Sequence, residues 1–198
     1  MSLRFSYTLL APFYDLFVAR AFTAARRESL AGLPADSHGV VLLNGIGSGL
    51  DLPHLTRGRR YVGLDLTAAM LARCRRRVID LDFAAVQGNS LALPFAGASF
   101  DHAVLHLILA VVSDPARALA ETARVVRAGG AILILDKFLK RGQRAWVRRF
   151  ASPLAARMVT RLDVVFEDVL EQVPGLRIVS DAPAAAGGWF RKIRLEKL

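Results

Sequence analysis

Val40-Val41-Leu42-Leu43-Asn44-Gly45-Ile46-Gly47-Ser48-Gly49, resumed at Tyr61-Val62-Gly63-Leu64-Asp65, is the stretch that decides the fold. An apolar run long enough for a buried strand ends in alternating glycines, and a second apolar run ends on a carboxylate. A buried parallel strand followed by a turn that only glycines make easily brings backbone close to a nucleotide-like ligand. Asp65 lies 20 residues beyond Gly45, where such folds place the acceptor for a ribose diol. The unit is strand, glycine turn, short helix, strand.

The spacing of the turn narrows the ligand. A dinucleotide fingerprint has a third glycine three residues after the second, with the pyrophosphate on a helix N-terminus. Here that glycine comes one residue early, at Gly49, Leu50 takes the expected place, and Asp51 enters the first helical turn. A carboxylate there suits the helix dipole and repels a pyrophosphate. It does not repel a nucleoside that carries a sulfonium and an ammonium group and no phosphate, which is the description of S-adenosylmethionine. No Gly-Lys-Ser/Thr follows the turn, so it is not a P-loop.

Working outward, the rest of the chain alternates between helix and strand signals. An N-terminal helical part, Tyr7 to Leu33, precedes the first strand. Thr67 is placed to cap a helix over Ala68 to Val78, and Asp114-Pro115 opens another that runs to Val126. Further strands are expected at Phe83 to Gln87, Asp101 to Leu107 and Ala131 to Asp136. A helix over Val164 to Val173 and two closing strands, Leu176 to Asp181 and Trp189 to Leu195, complete the order. The alternation predicts an α/β fold with a doubly wound sheet, and the two consecutive closing strands predict an antiparallel edge. No repeat, low-complexity tract or long linker divides the 198 residues, so one domain is expected over 1–198.

Composition agrees with a folded single domain, at 54% hydrophobic and 8% aromatic residues. The single Cys74 excludes an intramolecular disulfide and points to a reducing compartment. Met1 to Ala11 lacks the layout of a signal peptide, and the most apolar stretch, Ala103 to Val112, is too short to span a bilayer. A cytoplasmic protein, or one peripheral to the inner face of a membrane, is expected. The net charge of +10 comes mostly from arginine and permits phosphate-bearing partners. Arg73, Arg75, Arg76 and Arg77 crowd the end of one predicted helix, where cations complement the dipole.

Ligands of such a sheet bind at the carboxyl ends of the strands. The residues there are Gly45, Gly47 and Gly49, then Asp65 with Leu66, then Asn89 with Ser90, then His106 to Leu109, then Asp136 and Lys137. Asn89 can both donate to and accept from an adenine edge, or serve only as the turn residue beside Gly88. His106 is a candidate proton acceptor, or a pocket-wall histidine held by backbone hydrogen bonds. No grouping of His, Cys and carboxylates has metal-ligand spacing, so no metal is expected, and no G-x-S-x-G context appears.

With Leu10-Ala11-Pro12-Phe13-Tyr14-Asp15, Leu93-Pro94-Phe95, Ser99-Phe100-Asp101 and Glu121 to Gly130 added to the glycine turn and Val62-Gly63-Leu64-Asp65, the stretch from Leu10 to Asp136 resembles a class I S-adenosylmethionine-dependent methyltransferase. The resemblance is to the group that includes ubiquinone/menaquinone-biosynthesis and phospholipid N-methyltransferases. It implies a Rossmann-like seven-stranded sheet in the order 3-2-1-4-5-7-6 with strand seven antiparallel, and an N-terminal helical lid over 1–34. It also implies that Gly45, Gly47 and Gly49 approach the methionine part of S-adenosylmethionine, that Asp65 holds the ribose, that Asn89 lies near the adenine, and that Tyr14 closes over the site. Leu43 stands where the family usually has an acid, and Asn89 where Asp is common; Asp51 is the candidate replacement for the first.

Transfer of a methyl group from a sulfonium needs mainly the positioning of an acceptor and somewhere for its proton to go. His106 and Tyr14 are the candidate catalytic residues; Asp51, Leu66, Ser90 and His106 join the cofactor-binding set. His106-Leu107-Ile108-Leu109 replaces the Asn/Asp-Pro-Pro-Tyr motif of nucleobase amino-methylation with an apolar wall. That favours a small lipophilic or amphiphilic acceptor, a quinone precursor or a phospholipid headgroup, over RNA. A catalytically weak protein that only binds the cofactor is the other alternative. The segment 137–161 sets Trp146, Phe150, Leu154 and Met158 four residues apart among arginines, so it is either a helix packed on the core or a basic cap that meets a membrane surface.

Overall fold

The computed structural model describes residues 22–35, 39–139, 164–185 and 188–198. Tyr14 and most of the 137–161 segment lie outside them. Seven strands form one sheet: β1 (Val40–Asn44), β2 (Arg60–Asp65), β3 (Asp82–Gln87), β4 (His102–His106), β5 (Ala131–Lys137), β6 (Leu176–Ala185) and β7 (Phe190–Lys197). Their spatial order is β3-β2-β1-β4-β5-β7-β6. The first five pair in parallel, and β7 runs antiparallel to both β5 and β6. This is the order and orientation that the resemblance implies.

Helices cover both faces: α1 (residues 22–30), α2 (Ala68–Arg75), α3 (Pro115–Val125) and α4 (Phe166–Glu171). Strand periodicity sorts the core into two clusters. Leu42, Leu105, Ile132 and Ile134 face Leu119 and Val125 of α3 and Phe166 of α4. Val41, Leu43, Val104 and Leu133 face the opposite way, towards Leu30 of α1 and Leu71 and Cys74 of α2. Both faces of β1, β4 and β5 are therefore dry, which is why those strands read as continuous apolar runs. Burying each such side chain contributes about 1.5–3 kcal/mol before chain entropy is set against it.

Two helix ends differ in chemistry. The Asp114 side chain accepts from the Arg117 amide at 2.9 Å and caps α3, with Pro115 in the first turn as expected. Thr67 occupies the cap position of α2 but makes no side-chain cap. Its amide and hydroxyl donate instead to Asp65 Oδ1, at 2.9 and 3.1 Å. The helix proper stops at Arg75, three residues short of the expected Val78.

Candidate active site

The carboxyl ends of β1, β2 and β4 and the loop after β3 surround a cavity of about 350 Å3. Gly45, Gly47 and Ser48 of the glycine turn form one wall; Asp65, Leu66 and Thr67 form the next; Asn89 and Ser90 follow β3; and His106, Leu107 and Ile108 follow β4. Gly45 is fixed by its neighbour: a Cβ there would meet Ile108 Cδ1 at 2.4 Å, on a backbone with φ of +77°. The turn and the post-β4 wall touch only because that side chain is absent.

Asp65 ties the turn to β2. Its Oδ2 accepts the Gly47 amide at 3.0 Å while Oδ1 is taken by Thr67. Burial raises its pKa, and these donors only partly offset the rise. Oδ1 already accepts twice, so the capacity left for a ribose hydroxyl is the second lone pair of Oδ2. Asn89 Oδ1 accepts the Leu91 amide at 2.9 Å, a side-chain turn, while the residue also lines the cavity. Ser90 is buried behind it, donating to Asn44 Oδ1 at 2.6 Å, and Asn44 Nδ2 donates to Thr122 Oγ1 of α3 at 3.0 Å. That chain locks the end of β1 to the post-β3 loop.

Two of the expected cofactor-binding residues lie outside the cavity lining. Gly49 does not line the cavity: a Cβ on it would lie 2.9 Å from Leu52 Cδ1 and 3.0 Å from Cys74 Sγ, so its requirement is close packing on α2. Asp51 does not line it either. The chain after Gly49 makes one 3-10 turn, Leu52–His54, and turns Asp51 inward to 4% exposure. There Oδ1 accepts from Arg26 Nη1 at 2.7 Å and meets His106 Nδ1 at 2.8 Å. Burial works to raise the Asp51 pKa, but His106 and Arg26 beside it outweigh burial and hold it well below the ordinary carboxylate range.

His106 lines the cavity, and its second nitrogen, Nε2, lies 3.0 Å from Ser29 Oγ. The ring is thus held by two side chains, not by backbone. Leu43 is 1% exposed within the apolar cluster of Leu30, Ile46 and Leu52. Arg26 and Ser29, both on α1, carry no motif and were beyond the reach of sequence reading; only the spacing that places Ala25, Arg26, Ser29 and Leu30 on one helical face hints at them. Arg77 is a similar case: the arginine-rich end of α2 complements its dipole as expected, and Arg77 Nη1 also donates to the Ser48 carbonyl in the glycine turn.

The model of the family described as "Methyltransferase domain" matches residues 42–134, from β1 to β5. The chain is 30% identical over 189 residues to a phosphatidylethanolamine N-methyltransferase of Cereibacter sphaeroides, covering 93% of this chain and 92% of that one. It belongs to the S-adenosylmethionine-dependent methyltransferases. A demethylmenaquinone methyltransferase of Renibacterium salmoninarum is 39% identical over 84 residues, which are 42% of this chain and 35% of that protein. An S-adenosylmethionine-dependent methyltransferase from Thermotoga maritima has the same fold, with a TM-score of 0.73, 19% identity, and coverage of 98% and 99% of the two chains. The cofactor of this methyltransferase is therefore S-adenosylmethionine. The cavity suits it: a hydrogen-bond acceptor for a diol, a guanidinium, apolar walls, and no cluster of phosphate-binding cations among the described residues.

Among the described residues no group of His, Cys, Asp and Glu is arranged to hold a metal ion, and no helix is long and apolar enough to cross a membrane.

Proposed function

We propose that this methyltransferase acts on a small lipophilic or amphiphilic acceptor, a quinone precursor or a phospholipid headgroup. The observation that carries the reading is the wall after β4. Leu107, Ile108, Val111 and Val112 line the same cavity as the glycine turn, so an acceptor entering beside the cofactor meets hydrocarbon. Leu107 is held at φ of +59°, in the left-handed region, by its amide's 2.8 Å hydrogen bond to the Leu135 carbonyl. A side chain in that conformation costs about 1–2 kcal/mol, and such strain clusters where a site fixes its geometry. The relatives named for phosphatidylethanolamine and demethylmenaquinone support the same acceptor class.

Bound S-adenosylmethionine supplies an electrophilic methyl on a sulfonium, and the chain's residues have the tasks of holding and aligning. Gly45 and Gly47 line the side for the methionine part, Asp65 accepts the ribose hydroxyls, and Asn89, with its carbonyl oxygen already in the turn, offers its amide hydrogens to the adenine edge. His106 stands beside the acceptor's space as the candidate proton acceptor, its ring oriented by Asp51 at Nδ1 and Ser29 at Nε2. The same proposal assigns Tyr14 to the cofactor or acceptor and the basic segment 137–161 to an anionic lipid surface, on sequence alone.

The test is transfer of labelled methyl groups to phosphatidylethanolamine vesicles, to a demethylated quinone and to RNA, assayed side by side. Labelling of the lipid or the quinone is expected. Labelling of RNA alone, or tight cofactor binding with no labelled product, would overturn the proposal. Sedimentation with anionic vesicles at low salt checks the basic cap, and no pelleting would remove it.

A further inference from the structure

The wall after β4 is held from behind by the end of β5. Leu107 and Ile108 line the cavity, whereas the next two residues, Leu109 and Ala110, are fully buried and do not line it. The stretch belongs to no strand or helix, so its backbone amides have no ladder to join. A buried amide without an acceptor is costly, and each of these must find one. The Leu107 amide donates to the Leu135 carbonyl at 2.8 Å, and the Ala110 amide donates to Asp136 Oδ2 at 3.0 Å. The Leu109 amide, close to the same carboxylate, steadies its charge.

Asp136 does not line the cavity and is 2% exposed at the end of β5. Its other oxygen, Oδ1, accepts the amide of Lys137 at 2.8 Å. One oxygen is thus tied locally, to the residue that follows, while the other reaches across to the loop after β4. An ionised carboxylate only accepts, which is what several converging amides require. In front, the loop has no room to advance, because a Cβ on Gly45 would meet Ile108 Cδ1 at 2.4 Å. The wall is gripped between the glycine turn and β5.

We propose that Asp136 is a positioning residue for methyl transfer: its carboxylate holds the loop 107–110 at a fixed depth and so sets where the acceptor lies relative to the cofactor's methyl group. It acts through the loop and touches neither ligand. The proposal rests on the reading above, in which the acceptor lies against the post-β4 wall. The effect is large because alignment carries much of the rate: a misplacement of about 1 Å costs on the order of 100-fold.

The test compares two substitutions that both remove the charge. Asp136→Asn keeps an acceptor within reach of the Ala110 amide, whereas Asp136→Ser keeps an oxygen for the neighbouring Lys137 amide but is too short to reach Ala110. Labelled-methyl transfer to phosphatidylethanolamine vesicles and to a demethylated quinone is measured on the full chain, at a temperature where every variant is folded. The serine variant should lose about 10- to 100-fold in kcat and the asparagine variant less than about 3-fold. Affinity for S-adenosylhomocysteine, by calorimetry, should stay within about 3-fold of the wild type in both. Hydrogen exchange over 107–110 should quicken in the serine variant alone. A purely structural role would lower the melting temperature of the serine variant and leave its kcat unchanged, and that result would overturn the proposal. An equal fall in both variants would overturn it too, because charge and not reach would then be what matters. Asp136→Thr has the reach of serine, fills more space, and takes its place should the serine variant not fold. Labelling of neither probe by the wild type would instead bring down the acceptor reading, and unchanged exchange in the serine variant would still decide against the grip on the loop.

Discussion

Two buried arginines, Arg26 at the glycine turn and Arg191 in the closing hairpin, have the same 7% side-chain exposure but opposite surroundings. Arg191 faces two carboxylates, with only its Nη1 left buried and unpartnered among the described residues. Its Nη2 donates to Glu167 Oε1 at 2.7 Å and to Asp181 Oδ2, its Nε donates to Asp181 Oδ1 at 3.1 Å, and the guanidinium lies 5.6 Å from the Phe166 ring centroid. Burial works against its charge, but two carboxylates hold it charged more firmly than in water. Arg26 has a single carboxylate, shared with His106, and a cavity at its side. The first arrangement is closed, pinning β6, β7 and α4 to one another. The second is open on one side, which is how a fold keeps binding capacity without leaving a charge in hydrocarbon.

Removing Asp51 should break the open cluster most severely. Asp51→Asn leaves the Arg26 guanidinium buried with no counter-charge, and the expected loss is about 3–5 kcal/mol of unfolding free energy. Urea denaturation measures it, and a loss below 1 kcal/mol would mean that Arg26 swings into the cavity and is solvated there. The closed cluster should be gentler. The side chains of Asp181 and Glu167 are 29% and 32% exposed, so water takes over part of what Arg191 supplies. Arg191→Met is expected to cost about 2 kcal/mol and to leave S-adenosylhomocysteine binding unchanged. Equal loss of ligand affinity in the two variants would erase the distinction between a structural and a binding arginine.

The difference between the clusters also marks what sequence could convey. The glycine turn and Asp65 were legible because backbone conformation and the period of a buried strand confine them to few residue types. The partners of Arg26 lie 25 residues away, and those of His106 lie 55 and 77 away, with nothing in the spacing to announce them. A carboxylate just after a glycine turn looks aimed at a ligand; a single 3-10 turn carries Asp51 into the core, which no local pattern announces. The edge strand β6 runs on past the expected Asp181 to Ala185. Its residues are mostly exposed, and Pro183 reads as a breaker, yet an edge strand with register shifts between Ile178 and Ser180 and between Pro183 and Ala185 admits both.

A third carboxylate, Asp136 at the end of β5, supplies the control in which burial acts with no paired cation. It is 2% exposed, accepts from the amides of Ala110 at 3.0 Å and Lys137 at 2.8 Å, and has no salt bridge among the described residues. Burial pushes its pKa up to about 6, with the amides and the nearby Lys137 charge only partly opposing, whereas equally deep Asp51 is driven down. The sign follows from proton binding. With a folded-state pKa above the unfolded value near 3.9, the native protein holds this proton more tightly than the unfolded chain. The favourable contribution is therefore complete below about pH 4 and is lost as pH rises through 6. Asp136→Asn removes that titration. It keeps an acceptor for the Ala110 amide and gives up the one for Lys137, a hydrogen bond worth about 1 kcal/mol. The variant should therefore be more stable than the wild type by about 2 kcal/mol at pH 7 and slightly less stable than it by pH 4. Thermal melts of both proteins from pH 4 to pH 8 measure the crossover, and an advantage that grows as pH falls would show that Asp136 is held charged, as Asp51 is, by a cation.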